Sequence, residues 1–296
     1  MSTHPGTTLD EKEGMRVIDC SACGFAHVMP LPIAEDIQRF YEKDFYDTEM
    51  PDYFKYAEED MAWWMATYDH YYDLLEAHTK GRHLLDIGSG PGYFLDAGKK
   101  RGWKVLGFEP SSSAARYSAK RGLTIINDMF SLEKAAAYGP FDAVMISLVF
   151  EHVPDPIRLI EEVKRVLAPD GLLCIIAPND YNPLQKLLVE KHGFKPWWLA
   201  LKHHLNYFTV ESLTELLRTH GFVPVEVETS YPMEFFLLSG RNYVANPEVG
   251  RACHKERMAL EMALFAGNKA LLCDMYRSWA KEGIGREAVL IVRKKD

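Results

Sequence analysis

Residues 84–102 read LLDIGSGPGYFLDAGKKRG, and the reading of this stretch decides the fold. An apolar, strand-like run from Leu84 to Ile87 stops at Gly88, Gly90, Pro91 and Gly92, and helix-forming composition resumes near Tyr93. Bare backbone at that place lets the chain turn sharply and lets a ligand lie against the peptide groups themselves. In open α/β sheets such loops sit at the carboxyl ends of strands, where ligands bind at the point of strand-order reversal. A dinucleotide fingerprint reads G-x-G-x-x-G. Here Tyr93 holds the place of the third glycine, which counts against a nicotinamide or flavin dinucleotide.

Outward from the loop, one rhythm repeats. HLLDI (83–87), WKVLGF (103–108), LTII (123–126), FDAVMIS (141–147), GLLCIIA (171–177), FVPVEVETS (222–230) and REAVLIVRK (286–294) read as strands. Between them lie helical segments with recognisable ends. Ser111 or Ser112 can cap one at its start and Gly122 close it, Asp155-Pro156 opens another, and Thr209 caps a third. Apolar runs alternating with amphipathic helices predict an α/β fold with a mostly parallel sheet covered on both faces. Pro224 suits the start of its strand or a sheet edge. The organisation expected is an N-terminal tail and aromatic-rich cap (1–80), a core (81–230), a helical insertion (231–283) and a last core strand (284–296). Residues 1–14 read as a tail. Trp64, Tyr68, Tyr71, Tyr72 and Leu75 recur at helical spacing and predict one packed helix face. The insertion is helical from Arg251 to Glu282 with a break at Gly267, and it would cap the active face or form a homodimer contact.

Composition narrows the function. The chain has 296 residues, is 47% hydrophobic and 26% charged, and carries a formal net charge of -8. It has no concentrated basic run, so nucleic acid is not an expected partner. It also has no uninterrupted apolar stretch of membrane-spanning length. The first residues lack the basic-then-apolar order of a secretory signal. Five cysteines, an odd number in a long chain, fit a reducing compartment. A cytoplasmic protein acting on a small molecule is the expectation.

LLDIGSGPGYFL resembles the first motif of class I S-adenosylmethionine-dependent methyltransferases. The resemblance implies a Rossmann-like, seven-stranded sheet with a reversed last strand, and S-adenosyl-L-methionine as cofactor. It places Asp86, Gly88, Ser89, Gly90 and Gly92 at the methionine part of the cofactor. Glu109, followed by Pro110 in GFEPS, matches the acidic residue that binds both ribose hydroxyls; a carboxylate suits a vicinal diol because it accepts two hydrogen bonds. Asp128 and Met129 in NDMF correspond to the adenine contacts. Ser147 and Leu148 end the fourth strand, where the family closes over the cofactor.

Methyl transfer needs an acceptor held in line and freed of water, and a hydroxyl acceptor must also lose a proton. Candidate bases are His152 in FEHVPDP and His204 in KHHLNYFT, with Tyr207 beside the latter. A packing role for His152 stands against its role as base. Asn179, Asp180 and Asn182 in APNDYNPLQ suit a hydroxylated substrate or, equally, a turn. Some relatives hold a divalent metal through Glu-x-x-Glu-His at the place of Leu148 to His152; Leu148 removes one ligand, so no metal is expected there.

CSACGFAHVMPLP resembles the Cys-x-x-Cys-Gly segment of bacterial methyltransferases of surface-glycan, sugar and natural-product pathways, several of which bind structural zinc through two such pairs. Only one pair occurs here. Cys20, Cys23 and His27 give three ligands, His4 is distant in sequence, and reduced thiols without metal are expected. The function expected is methyl transfer to an oxygen of a sugar, nucleotide-linked sugar or related metabolite. Carbon methylation of a nucleotide sugar is the alternative within the class. A nicotinamide-dependent oxidoreductase and a catalytically silent cofactor-binding scaffold are the alternatives outside it.

Overall fold

A computed structural model describes residues 4–32 and 53–295. The part of the expected aromatic cap from residue 33 to residue 52 lies outside the described residues. In chain order, the first elements are β1 (Gly6–Lys12), β2 (Met15–Cys20), β3 (Phe25–Met29), α1 (Tyr53–Glu59) and α2 (Met61–His78). Next come β4 (His83–Ile87), α3 (Tyr93–Lys100), β5 (Lys104–Phe108), α4 (Ser112–Lys120), β6 (Ile125–Ile126), α5 (Leu132–Ala136), β7 (Phe141–Ser147), α6 (Pro156–Val166) and β8 (Leu167–Pro178). The rest are α7 (Pro183–His192), β9 (Asn206–Tyr207), α8 (Val210–Thr219), β10 (Phe222–Thr229), α9 (Glu234–Leu238), α10 (Pro247–Gly267), α11 (Lys269–Lys281) and β11 (Glu287–Lys294).

Seven strands form one sheet in the order β6-β5-β4-β7-β8-β11-β10. It is mostly parallel, with the last strand, β11, antiparallel and inserted between β8 and β10. The order runs outward from β4 in both directions, so the chain reverses its lateral course between β4 and β7. The glycine-rich loop follows β4 at that reversal. Leu84, Leu85, Asp86 and Ile87 pair in parallel with β5 on one side and β7 on the other, and all four are buried. A strand flanked by neighbours and covered on both faces must be apolar throughout, which is why Asp86 is conspicuous there. Pro224 lies in β10, an edge strand of the sheet, one of the places where a strand tolerates proline.

The chain divides into two compact units. One comprises Leu31–Ile175, Leu217–Glu226 and Ile291–Asp296. In it, Ser111 caps α4 by accepting from Ala114 N, and Asp155 caps α6 by accepting from Arg158 N with Pro156 in the first turn. Helix α2 buries Trp63, His70, Tyr72, Leu74 and Leu75. Tyr72 stacks on Phe94 of α3 at 4.5 Å, and its hydroxyl donates to the Phe94 carbonyl. Trp64 and Tyr68 of the expected stripe stack on one another at 5.6 Å and are half-buried.

The other unit comprises Met1–Pro30, Ile176–Leu216 and Val227–Leu290. Its sheet has the order β1-β2-β3-β9, with all three pairings antiparallel. Residues 6–12, expected within a tail, are strand β1. The turn joining β1 to β2 is Glu13-Gly14, both at positive φ (55° and 77°). That is the geometry of a two-residue hairpin turn, but glutamate rarely occupies its first position, and the signal is correspondingly faint in sequence. The insertion is a pair of helices, α10 and α11, broken after Gly267, with Asn268 capping α11 by accepting from Leu271 N. Among the described residues no helix is long and apolar enough to cross a membrane.

Candidate cofactor site

The first unit builds a cradle from the carboxyl ends of β4, β5, β6 and β7. Gly88, Gly90 and Gly92 take positive φ (77°, 52° and 76°), a conformation that L side chains rarely adopt. At Gly88 a β-carbon would stand 2.3 Å from Val149 Cγ2, so only glycine lets the loop fold against the end of β7. The Gly88 and Ser89 amides both donate to the Phe108 carbonyl (2.8 and 3.0 Å), which ties the loop to the end of β5.

Glu109 completes that tie. Its Oε2 accepts from Gly90 N at 2.7 Å and its Oε1 from Ser111 N at 2.8 Å. The residue is only 5% exposed. Each carboxylate oxygen keeps a further lone pair, so the group can brace two loops and still accept from a diol. Asn127 steadies the same turn from behind, its side-chain amide donating to the Glu109 and Pro110 carbonyls at 2.8 and 3.0 Å. Asn127 and Ser111 were not singled out as site residues in the sequence. Asn127 adjoins Asp128 in NDMF and marks the end of β6, the one local signal that could have found it.

Asp86 is buried at the end of β4, and its carboxyl is pushed up to about 8, first by burial and then by the charge of Glu109. Burial likewise raises Glu109 to about 7, against the two amides that favour its ionised form. Two acids in a buried space, with no cation beside them among the described residues, hold protons into the neutral range. A cationic ligand would release them. Ser89 adds a buried hydroxyl oxygen with no hydrogen-bond partner among the described residues.

The outer wall is apolar and open. Met129 is 37% and Leu148 41% exposed, each just past a strand end. Leu148 has φ 53°, a strained conformation for a bulky residue of the kind concentrated at ligand sites. Ser147, half-buried, ends β7 beside it. Asp128 is half-buried; its Oδ1 accepts from Met129 N at 2.8 Å and its Oδ2 pairs with Lys134, which holds the carboxyl below its ordinary value. Thus all the residues predicted for the cofactor, from Asp86 to Leu148, fall at the carboxyl ends of four adjacent strands, and their chemistry fits S-adenosylmethionine. Buried acids suit a cationic group, a carboxylate with spare lone pairs suits a vicinal diol, and apolar side chains suit a purine face.

His152 belongs to the same unit. It sits in a short 3₁₀ turn, Phe150–His152, with Nε2 3.5 Å from Glu151 Oε1. His204 and Tyr207 belong to the other unit, where their rings lie 6.3 Å apart. Burial, and then His203, push His204 down to about 4, so its imidazole is neutral at physiological pH. Burial, and then Asp180, raise the Tyr207 hydroxyl well above its ordinary value. The two asparagines offered as substrate contacts are structural. Asn182 caps α7 by accepting from Leu184 N and Gln185 N (2.9 and 3.0 Å). Asn179 donates to the Gly283 and Gly285 carbonyls and accepts from Val210 N. Both are fully buried and spent on backbone groups, Asn182 as a helix cap and Asn179 as a tie between segments distant in sequence. Asp180 between them is buried and pushed up to about 7 by that burial.

The methyltransferase domain family matches residues 53–227, and the chain belongs to it. Among curated relatives, the C-methyltransferase NovU of Streptomyces niveus is 29% identical over 156 residues, covering 51% of this chain and 35% of NovU. A ubiquinone biosynthesis O-methyltransferase from a Caulobacter species is 33% identical over 171 residues, 55% of this chain and 66% of that protein. The chain therefore spans only part of the length of the relatives it matches. The Burkholderia thailandensis 1,6-didemethyltoxoflavin-N1-methyltransferase shares the fold at a TM-score of 0.54 and 15% identity, over 98% of this chain and 99% of that one.

Proposed function

We propose that the protein transfers a methyl group from S-adenosylmethionine to an oxygen of a small polar acceptor, such as a sugar, a nucleotide-linked sugar or a related metabolite. The observation that carries this reading is the Glu109 bridge: one buried carboxylate joins the glycine loop to the β5 turn at the reversal of strand order. A nicotinamide dinucleotide would find no third glycine there, only Tyr93. Gly88, Gly90 and Ser89 would hold the amino-acid end of the cofactor, Glu109 the ribose, and Asp128, Met129 and Leu148 the adenine. When bound, the cofactor supplies an electrophilic methyl group on a positively charged sulfur.

The protein's remaining task is to position the acceptor and take its proton. Neutral His204 has the lone pair this requires, and His152, oriented by Glu151, is the second candidate. Tyr207 stays protonated and can donate to an acceptor oxygen. Carbon methylation is the second reading, supported by the likeness to NovU over 156 residues. Incubating the protein with radiolabelled methyl donor and fractionated metabolite extracts, then identifying the labelled product, tests both. Label on an oxygen of a small polar metabolite supports the first reading, and label on carbon the second. No transfer to any fraction by protein that binds the cofactor would leave it a binding scaffold.

A further inference from the structure

A second constellation lies far from the cradle in sequence and outside the matched family region. His4, Cys20, Cys23 and His27 bring one ligand atom each to within 4.8 Å of one another. Their spacing is H-x15-C-x2-C-x3-H. Cys20 ends β2, Cys23 stands in the turn to β3, and His27 lies within β3. The turn is tight: Gly24 at φ 77° donates its N–H to the Cys20 carbonyl at 2.9 Å. His4 reaches the same point because the N-terminal arm runs alongside, with Ser21 N donating to the Pro5 carbonyl at 3.0 Å and Gly6 in register with Cys20. Folding removes the remoteness that discounted His4 in the sequence.

The distances fit a metal centre. His4 Nδ1 and His27 Nε2 are 3.1 Å apart, and His4 Nδ1 is 3.7 Å from Cys20 Sγ and 3.4 Å from Cys23 Sγ. Tetrahedral zinc, with Zn–N near 2.0 Å and Zn–S near 2.3 Å, separates its ligands by about 3.3 Å for N to N and about 3.6 Å for N to S. Behind one ligand stands the partner such centres use. His27 Nδ1 lies 3.0 Å from the Val28 carbonyl, and a proton donated there leaves the Nε2 lone pair facing the cluster. His27 is buried within β3.

We infer that His4, Cys20, Cys23 and His27 bind one Zn²⁺ ion as a closed, structural site that staples the N-terminal arm to the small sheet. Two thiolates and two imidazoles select zinc among common divalent ions, and four protein ligands leave no position open for catalysis. Binding displaces the two thiol protons to solvent. The staple answers a local deficit, because β1 has no buried side chain. A short exposed edge strand buries too little to hold itself in place, and small elements of this kind rely on metals or disulfides. The site also reaches the candidate acceptor residues: β3 pairs with β9 through His27↔Asn206 and Ala26↔Tyr207. Zinc would hold the strand that carries Tyr207.

The test uses the full chain purified without chelator. Metal analysis should find one zinc per chain, and replacement by Co²⁺ should give the visible absorption of a tetrahedral ion with thiolate-to-cobalt charge transfer. His4→Ala, which alters no strand residue, should weaken Co²⁺ binding by more than the roughly 10- to 100-fold typical of losing an outer partner. Cys273→Ser, a half-buried thiol outside the cluster, should change nothing. Octahedral Co²⁺ without charge transfer, a Cys20–Cys23 disulfide in the protein as isolated, or full metal content in His4→Ala or in a folded Cys20→Ala/Cys23→Ala variant would each overturn the inference.

Discussion

Replacing Glu109 separates bracing from binding. In Glu109→Ala the amides of Gly90 and Ser111, now bonded at 2.7 and 2.8 Å, lose their acceptor. A buried orphaned amide costs about 1–3 kcal/mol, so the loops lose roughly 2–6 kcal/mol. Part of this is returned. Burial raises the Glu109 carboxyl from 4.5 to about 7, so keeping it ionised above neutral pH costs about 3 kcal/mol, which alanine relieves. The net destabilisation at pH 8 is therefore small, at most about 3 kcal/mol. Affinity has no such offset. Losing a charged acceptor for the ribose costs about 1.5–3 kcal/mol, a ten- to hundredfold rise in Kd. Glu109→Gln keeps the volume and one acceptor oxygen, so it should retain more stability than alanine while still losing affinity. Calorimetric titration with S-adenosylhomocysteine, set beside urea unfolding of the ligand-free proteins, reads the two effects apart. Wild-type affinity in both variants, or an affinity loss no larger than the unfolded fraction explains, would refute the assignment.

Other outcomes follow from the same geometry. Because Asp86 and Glu109 have raised folded-state values, the folded ligand-free protein holds more protons than the unfolded chain between the ordinary carboxylate range and about pH 8. Their contribution to stability should be full below pH 4 and lost as pH rises through about 8; an Asp86→Asn variant with the same pH slope in urea unfolding would contradict this. Affinity for the cationic methyl donor should rise over that window with proton release, measured by calorimetry in buffers of different ionisation enthalpy. Gly88→Ala places a β-carbon 2.3 Å from Val149 Cγ2 at a positive φ, and should abolish cofactor binding while lowering stability by at least about 1–2 kcal/mol. His204→Ala should lower kcat more than cofactor affinity, and the wild-type kcat should fall only as pH approaches about 4; unaltered turnover would dismiss His204 as the base.

Much of the core was legible because several strands there are announced twice, by an apolar run and by the cap that follows it. HLLDI and FDAVMIS are strands over the predicted residues, and Ser111, Asp155 and Thr209 all cap by side-chain acceptance. The placement of the candidate cofactor residues was readable for a related reason: they come from consecutive strand ends, so linear order maps onto spatial order. The N-terminal sheet was not. Its strands are short, β1 is exposed, and its turn uses Glu13 at positive φ, so neither hydrophobic periodicity nor turn chemistry marks it. Long-range pairings were equally silent. Nothing local says that His27 lies in register with Asn206, or that Asn179 is consumed by the carbonyls of Gly283 and Gly285. Double use of one side chain was also hidden, as with Glu109, whose bond to Gly90 spans 19 residues.

A crystal structure with S-adenosylhomocysteine bound bears most directly on the central claim. The account predicts both ribose hydroxyls within hydrogen-bond distance of Glu109, with the Gly90 and Ser111 amides still donating to the same carboxylate. A ligand seated elsewhere, or a ribose held by other residues while Glu109 serves only its two amides, would contradict it.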